Sequence, residues 1–132
     1  MKAGINIWSG QKGLGGALTN PTTLSFRKGN IKHQYQVVFW AVEYADAEAA
    51  YKYHKTGVLE RDMVIMTKII KAKLEQHPQL AEAISKNGGA LWLEQCRHIV
   101  GVKGSRWEGI GRRSNFITCL TNAYEALLKL EK

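Results

Sequence analysis

Residues 60–77, "ERDMVIMTKIIKAKLEQH", decide how this chain folds. Met63, Met66, Ile70 and Leu74 follow one another at intervals of three and four residues. That spacing places side chains on one face of an α-helix, and Lys68 and Lys71 fall outside the stripe. The pattern therefore predicts a long helix that buries one face and exposes the other.

The segments that follow this helix carry the same period together with helix start and stop signals. Residues 78–89, "PQLAEAISKNGG", begin with Pro78 in a first-turn position and end at Gly88 and Gly89, which suit a helix C-terminus. A last helix is predicted after an N-cap at Ser114 or Asn115. Its apolar stripe consists of Phe116, Leu120, Ala123, Leu127 and Leu130.

The first forty residues are instead rich in β-branched and aromatic side chains. "INIWS" (5–9) is a short β-prone run, and "TTLSF" (22–26) and "YQVVFWAV" (35–42) are predicted to pair as a hairpin around "RKGN". A further helix is predicted from residue 43, and its core face is expected to consist of Val42, Ala45, Ala49 and Tyr53. The sequence thus predicts one α+β domain over residues 1–132, mainly helical with a small N-terminal β-sheet.

The charge balance, the cysteines and the hydropathy of the chain limit the partners and the cellular location that it is expected to have. The chain has 19 Lys and Arg against 11 Asp and Glu, a net charge of +8, which either attracts phosphates and nucleic acid or only favours solubility. Cys96 and Cys119 have neither disulfide-framework nor zinc spacing and are expected to be buried thiols. No apolar run is long enough for a bilayer, so a cytoplasmic protein without membrane contact is expected, with no metal and no cofactor. The oligomeric state is left open.

The helix "ADAEAAYKYHK" (45–55) offers a candidate carboxylate. Glu48, Lys52 and Lys55 fall on one narrow face at about 100° per residue. A glutamate and a lysine four residues apart commonly form a solvated surface pair. The small alanines around Glu48 indicate a second possibility, in which a ligand approaches the carboxylate closely.

The stretch "GSRWEGIGRRSNF" (104–116) places an aromatic ring, a carboxylate and two arginines among glycines. Trp107 can wall a ligand pocket or belong to the core. The arginines can contact phosphates or remain solvated. The glycine-rich loop "GQKGLGGALTNP" (10–21) does not match a phosphate-binding P-loop, because its lysine precedes the glycines.

Four segments in order resemble the NADAR family, the YbiA-like proteins, over nearly the whole chain. They are "INIWS", "GALTNP" with Asn20 at the family's loop asparagine, "AEAAYKYHK" with Glu48 at its helix glutamate, and "WEGIG" followed by "RRSN" with Asn115 at its second asparagine. Two departures occur: Glu108 stands between Trp107 and the first glycine, and "GVKGSR" (101–106) lacks the acidic residue that usually precedes the tryptophan. Either Glu108 takes over that acidic role or the role is lost.

The resemblance implies an N-glycosidase that hydrolyses ribosyl–base bonds, most specifically one that removes ADP-ribose from modified guanine in nucleic acid. It implies Glu48, with Glu108, as catalytic carboxylates. The substrate-binding residues that it implies are Trp8, Asn20, Lys52, Lys55, Trp107, Gly109, Gly111, Arg112 and Asn115. Two alternatives remain: hydrolysis of the ribosylamino-pyrimidine phosphates of riboflavin synthesis, and non-catalytic capture of an ADP-ribose-like nucleotide.

Overall fold

A computed structural model describes residues 2–130 of the chain, except for the side chain of Leu130. Helices form most of the structure. They are α1 (Leu14–Leu18), α2 (Thr22–Arg27), α3 (Ala47–His54), α4 (Leu59–Gln76), α5 (Pro78–Asn87), α6 (Ala90–Leu93) and α7 (Asn115–Leu130), with a 3₁₀ turn at Gly111–Arg113. The strands are β1 (Val37–Phe39), β2 (Val42–Tyr44), β3 (Arg97–His98) and β4 (Gly109–Ile110). The predicted class, a mainly helical α+β domain, is confirmed.

The core lies between α4 and α7, which make the most extensive contact of any two elements described. The predicted stripe of α4 is confirmed, because Met66, Ile70 and Leu74 are buried and Met63 packs against them. Burying each such side chain contributes about 1.5–3 kcal/mol. The stripe of α7 is confirmed as far as it is described, and the side chain of Leu130 lies outside the described part. Its buried residues are Phe116, Leu120, Ala123 and Leu127.

The predicted helix ends are also confirmed. The hydroxyl of Ser114 accepts a hydrogen bond from the amide of Ile117 at 3.1 Å, as an N-cap should. Gly88 ends α5 with a φ of 134°, a conformation that only glycine adopts readily. Both cysteines are buried free thiols.

The predicted pairing of residues 22–26 with residues 35–42 is wrong. Residues 22–26 lie in helix α2, while β1 pairs with β2 in antiparallel register, Val37 opposite Tyr44. The amide of Thr23, in the first turn of α2, donates to the carboxylate of Asp46 at 3.0 Å. The β-branched residues of this segment favour a strand. The distant Asp46 carboxylate stabilises a helix instead, because it accepts a hydrogen bond from a free amide in the first turn.

The predicted core face of the helix after residue 43 is wrong as well. Residues Val42–Tyr44 form strand β2, and α3 begins only at Ala47 behind the N-cap Asp46. The buried face consists of Ala47, Ala50 and Tyr51, whereas Val42 and Tyr53 are exposed. The predicted apolar stripe began in strand β2 and continued into α3. Because only α3 is helical, counting from Val42 assigned the wrong residues to its buried face.

The N-terminal run "INIWS" forms an isolated β-bridge and backbone hydrogen bonds, but no named strand. Ile7 donates its amide to the carbonyl of Arg97 at 2.8 Å, and Asn6 forms an isolated parallel bridge with Arg97. The second small sheet, β3 with β4, continues from that point. These pairings place Trp8 beside β3 and the loop that follows it. No helix among residues 2–130 is long and apolar enough to cross a bilayer.

Candidate functional site

A cavity of about 270 Å³ lies between the N-terminus of α3, the loop before α2, and the segment from β3 to β4. Its lining is aromatic and aliphatic with a few polar groups, which is typical of small-molecule sites. Five of the eleven residues predicted for the site meet there, although they lie far apart in the sequence. They are Trp8, Asn20, Glu48, Trp107 and Glu108.

Glu48 reaches the cavity from the first turn of α3. The carboxylate of Asp46 caps this helix by accepting from the amide of Ala49 at 2.9 Å, and the Glu48 amide donates to the carbonyl of Asn20 at 3.3 Å. Within the described residues the Glu48 carboxylate itself has no hydrogen bond and no ion pair. Burial raises the pKa of Glu48, and the nearby Lys52 only partly opposes that shift. This carboxyl can therefore change protonation state and accept a ligand.

Asn20 has an unsatisfied amide at the cavity wall. The side chain is only 4% exposed, and its Oδ1 has no hydrogen-bond partner among the described residues. Its Nδ2 lies 2.8 Å from the sulfur of Met66, which is a weak acceptor. A buried polar atom without a partner is costly, so Oδ1 is available to a ligand hydroxyl or amine.

The loop that carries Asn20 is fixed by a lysine that the sequence prediction did not select. Lys73 of α4 is 1% exposed, and its Nζ donates to the carbonyls of Ala17 and Thr19 at 2.6 Å each. Lys73 follows Met66, Ile69 and Ile70 by seven, four and three residues, so the helical period places it on the buried face of α4. It was not selected because a lysine is seldom fully buried. Lys73 holds the backbone on the N-terminal side of Asn20.

The two tryptophans wall the cavity on different sides. Lys28 places its Nζ 5.3 Å from the ring centre of Trp8 and 3.0 Å from the Ser9 hydroxyl. Trp107 packs edge-on against Tyr51, with centroids 5.5 Å apart and ring planes at 83°. Trp107 is partly buried against the core and also lines the cavity, so the two roles considered for it coexist.

Glu108 lies in the cavity wall, but its oxygens are already engaged. Oε1 accepts from the amides of Val100 and Gly101 at 2.8 and 2.9 Å, and Oε2 accepts from that of Val102 at 2.9 Å. The amides of Gly101 and Val100 lower the pKa of Glu108 most strongly. An ionised carboxylate with three backbone donors suits loop organisation better than proton transfer.

His98 is a cavity residue that the sequence prediction left among the structural histidines. Its Nδ1 lies 2.6 Å from the carbonyl of Ile7, so Nδ1 carries a proton in order to donate. Burial lowers the pKa of His98, which favours the neutral ring with an unprotonated Nε2. No neighbouring sequence motif marked this residue, because the strand pairing that places it is tertiary.

The remaining predicted residues lie outside the cavity lining. Lys52 lines an adjoining groove of about 440 Å³ that shares Glu48 with the cavity, and Lys55 is the exposed C-cap of α3. Arg112 donates to Glu94, Glu125 and Asn122, on the side of α7. This local network occupies its guanidinium, so the structure does not place it as a phosphate contact.

The last three predicted residues shape the loop that presents Trp107. Asn115 donates to the carbonyl of Arg106 at 2.6 Å. A Cβ on Gly109 would come within 2.9 Å of the Arg113 backbone, and one on Gly111 within 2.5 Å of the Glu94 carbonyl. Since both glycines also have positive φ, they serve backbone packing behind the loop.

Glu108→Ala is expected to loosen the segment from Val100 to Val102. Removing the carboxylate leaves three amides without acceptors, and these amides should exchange their hydrogens several-fold faster than in the parent. Hydrogen–deuterium exchange measures this directly. Glu60→Ala, at an exposed carboxylate in the first turn of α4, is the matched control. Unchanged exchange at these amides would show that Glu108 does not organise the loop.

No family model, curated protein or solved structure matches this chain. Within residues 2–130, no three His, Cys, Asp or Glu side chains are grouped as a metal site requires. The candidate site is therefore defined by its own geometry. It is a cavity with aromatic walls that contains the imidazole of His98 and two groups without a partner among residues 2–130, the Glu48 carboxyl and the Asn20 amide oxygen.

Proposed function

We propose that the protein is an N-glycosidase that hydrolyses ribosyl–base bonds, and most specifically one that releases ADP-ribose from modified guanine in nucleic acid. The observation that carries the proposal is the half-buried Glu48 carboxyl, which has no partner within the described residues and faces a cavity walled by Trp8 and Trp107. The resemblance of the sequence to NADAR proteins supports the same reaction class.

The chemistry of the reaction suits one free carboxylate. As the bond between the ribose C1′ and the base nitrogen breaks, positive charge develops on the sugar, and a fixed negative charge nearby stabilises it. As the C1′–N bond breaks, the oxygen of water bonds to C1′ and Glu48 accepts one proton of that water. This proton then passes to the nitrogen of the leaving base, which returns Glu48 to its ionised form. Glu48 is held for this role by a capped helix, so little reorganisation is needed.

The other cavity groups supply binding. The indoles of Trp8 and Trp107 offer flat apolar surfaces to a base or sugar, and the unpartnered Oδ1 of Asn20 can accept a hydrogen bond from a ribose hydroxyl. A volume of about 270 Å³ is slightly below the usual range for ligand sites. The cavity therefore accommodates a nucleoside-sized part of the substrate, and the phosphates lie outside it.

The small cavity also favours a second candidate, hydrolysis of a ribosylamino-pyrimidine phosphate. Such a metabolite presents one sugar and one ring, which is the fragment that the cavity accommodates. Nucleic acid remains the preferred substrate because a net charge of +8 exceeds what a single phosphate needs.

Incubation with an oligonucleotide that carries ADP-ribosylated guanine is expected to release free ADP-ribose, detected by chromatography. The same protein is incubated with the ribosylamino-pyrimidine phosphate, and release of the free pyrimidine there alone would transfer the proposal to the metabolite. Titration with ADP-ribose supplies the third arm. Binding without turnover of either substrate would contradict an enzyme and favour nucleotide capture.

A further inference from the structure

The turn between β1 and β2 holds a tryptophan in an unusual backbone conformation. Phe39 pairs with Val42, so the turn consists of Trp40 and Ala41 alone. Their φ angles are 49° and 65°, the left-handed values of a two-residue hairpin turn that favours Asn or Gly. For other L-residues this conformation is strained, and such strain often marks a functional position. The chain places a largely exposed indole at this strained position.

The Trp40 ring has one supported face. It stacks on Phe39 with centroids 4.8 Å apart and planes at 18°, and it meets the edge of His54 at 4.9 Å. The residue is nevertheless 64% exposed. Tyr53 is 76% exposed and also packs edge-on against the His54 imidazole, at 5.0 Å. We call Trp40, Tyr53 and His54 the aromatic platform.

Two lysines near the aromatic platform offer positive charge to phosphate groups. Lys52 and Lys55 lie at the same end of α3 as Tyr53, and neither forms an ion pair within residues 2–130. The nearby acidic residues are Glu43 of β2 and, at the opposite end of α3, Asp46 and Glu48. Asp46 is engaged as the helix cap, and the chain as a whole carries a net charge of +8. A support for flat rings flanked by free cations is the arrangement with which proteins bind single-stranded nucleic acid.

We propose that the aromatic platform binds single-stranded nucleic acid, with bases stacked on Trp40 and Tyr53 and with phosphates near Lys52 and Lys55. The proposal rests on the proposed function in one respect, since it takes the modified substrate to be a nucleic-acid strand. Glu48 and Tyr53 lie five residues apart on α3, a rise of about 7.5 Å along the helix axis. A strand with its modified nucleotide at Glu48 thus reaches the platform with closely neighbouring nucleotides.

Trp40→Asn tests the platform while preserving the turn, because Asn tolerates left-handed φ. Fluorescence anisotropy with a short unmodified single-stranded oligodeoxynucleotide is expected to show a Kd about 5- to 150-fold higher, the equivalent of one lost base–aromatic stack. Ala41→Gly is the matched control: it relaxes the same turn, retains the ring and should leave the Kd unchanged. Leu91→Ala removes a similarly exposed apolar side chain on α6 and should also have no effect.

Tyr53→Ala provides a second variant on a different element, and its 76% exposure means that the fold does not depend on it. It too should raise the Kd for the oligonucleotide. Equal affinity of Trp40→Asn, Tyr53→Ala and Ala41→Gly would overturn the proposal, as would absence of oligonucleotide binding by the parent. Binding needs no turnover, so loss of affinity in a protein that hydrolyses nothing would support the platform and contradict the glycosidase.

Discussion

Replacing Glu48 by Gln is expected to lower the turnover of a ribosyl–base substrate by about a hundredfold or more, with the fold retained. Gln preserves the shape of the side chain and removes the negative charge that opposes the developing sugar cation. Since α3 is capped by Asp46 and not by Glu48, the melting temperature should hardly change. Substrate binding should change by no more than about tenfold, because the walls formed by Trp8 and Trp107 remain.

The pH profile distinguishes a catalytic carboxylate from a residue that only shapes the cavity. Parental turnover should rise with pH through the pKa of Glu48, which burial places above that of an ordinary glutamate. The Gln variant should lose this limb of the profile. Glu60→Gln, on the surface of α4, should retain both the rate and the profile. Parental turnover by the Glu48 variant would show that this carboxyl has no catalytic role.

The parts of the fold that the sequence predicted correctly are those that local chemistry determines. The stripe of α4 follows from the helical period, and the limits of α5 and α7 follow from Pro78, Gly88 and Ser114, which act on their own backbone. Helix α2 was missed because its first turn is stabilised from outside, by the Asp46 carboxylate twenty-three residues away. No periodic pattern in residues 22–26 contains that contact.

The candidate site likewise contains residues that the sequence identifies and residues that only tertiary contacts bring to it. Residue type and the resemblance selected Trp8, Asn20, Glu48 and Trp107, which carry the carboxylate, the amide and the flat rings that a nucleotide site needs. His98 could not be selected, since only the pairing of its strand with the Ile7 segment brings it to the cavity. The expected phosphate role of Arg112 depended on its being free, and the sequence does not reveal the distant Glu125 that engages it.

The residue type and the helical position of Lys73 point in opposite directions, and its position decides the outcome, since it is 1% exposed. Burial lowers the pKa of Lys73 to about 7, with a smaller opposing influence from Asp46. A neutral amine still has two N–H groups, which is enough for the carbonyls of Ala17 and Thr19. Those two hydrogen bonds fix the backbone between Ala17 and Asn20. The uncharged lysine is therefore able to support the site.

Lys73→Met is therefore expected to change how stability depends on pH. In the unfolded chain Lys73 titrates near its ordinary pKa of 10.5, so between about pH 7 and pH 10.5 the unfolded state binds more protons than the folded state. The free energy of unfolding should rise with pH over that window, by about 2 kcal/mol between pH 7 and pH 9, and the contribution should be flat below pH 7. The Met variant lacks this increment, while every other titrating group cancels in the comparison.

Denaturant unfolding of both proteins at pH 6, 7, 8 and 9 measures the difference. At pH 9 the Met variant should be less stable by about 2 kcal/mol or more, because two buried carbonyls lose their donor. Towards pH 6 the gap should narrow, since charging Lys73 costs the parent stability that the variant never had. Lys71→Met, two residues away in a solvent-exposed pair with Glu75, should instead give a curve parallel to the parent at every pH. Parallel curves for Lys73→Met as well would mean that Lys73 stays charged in the folded protein, and that its ammonium holds the Asn20 loop at the full cost of burial.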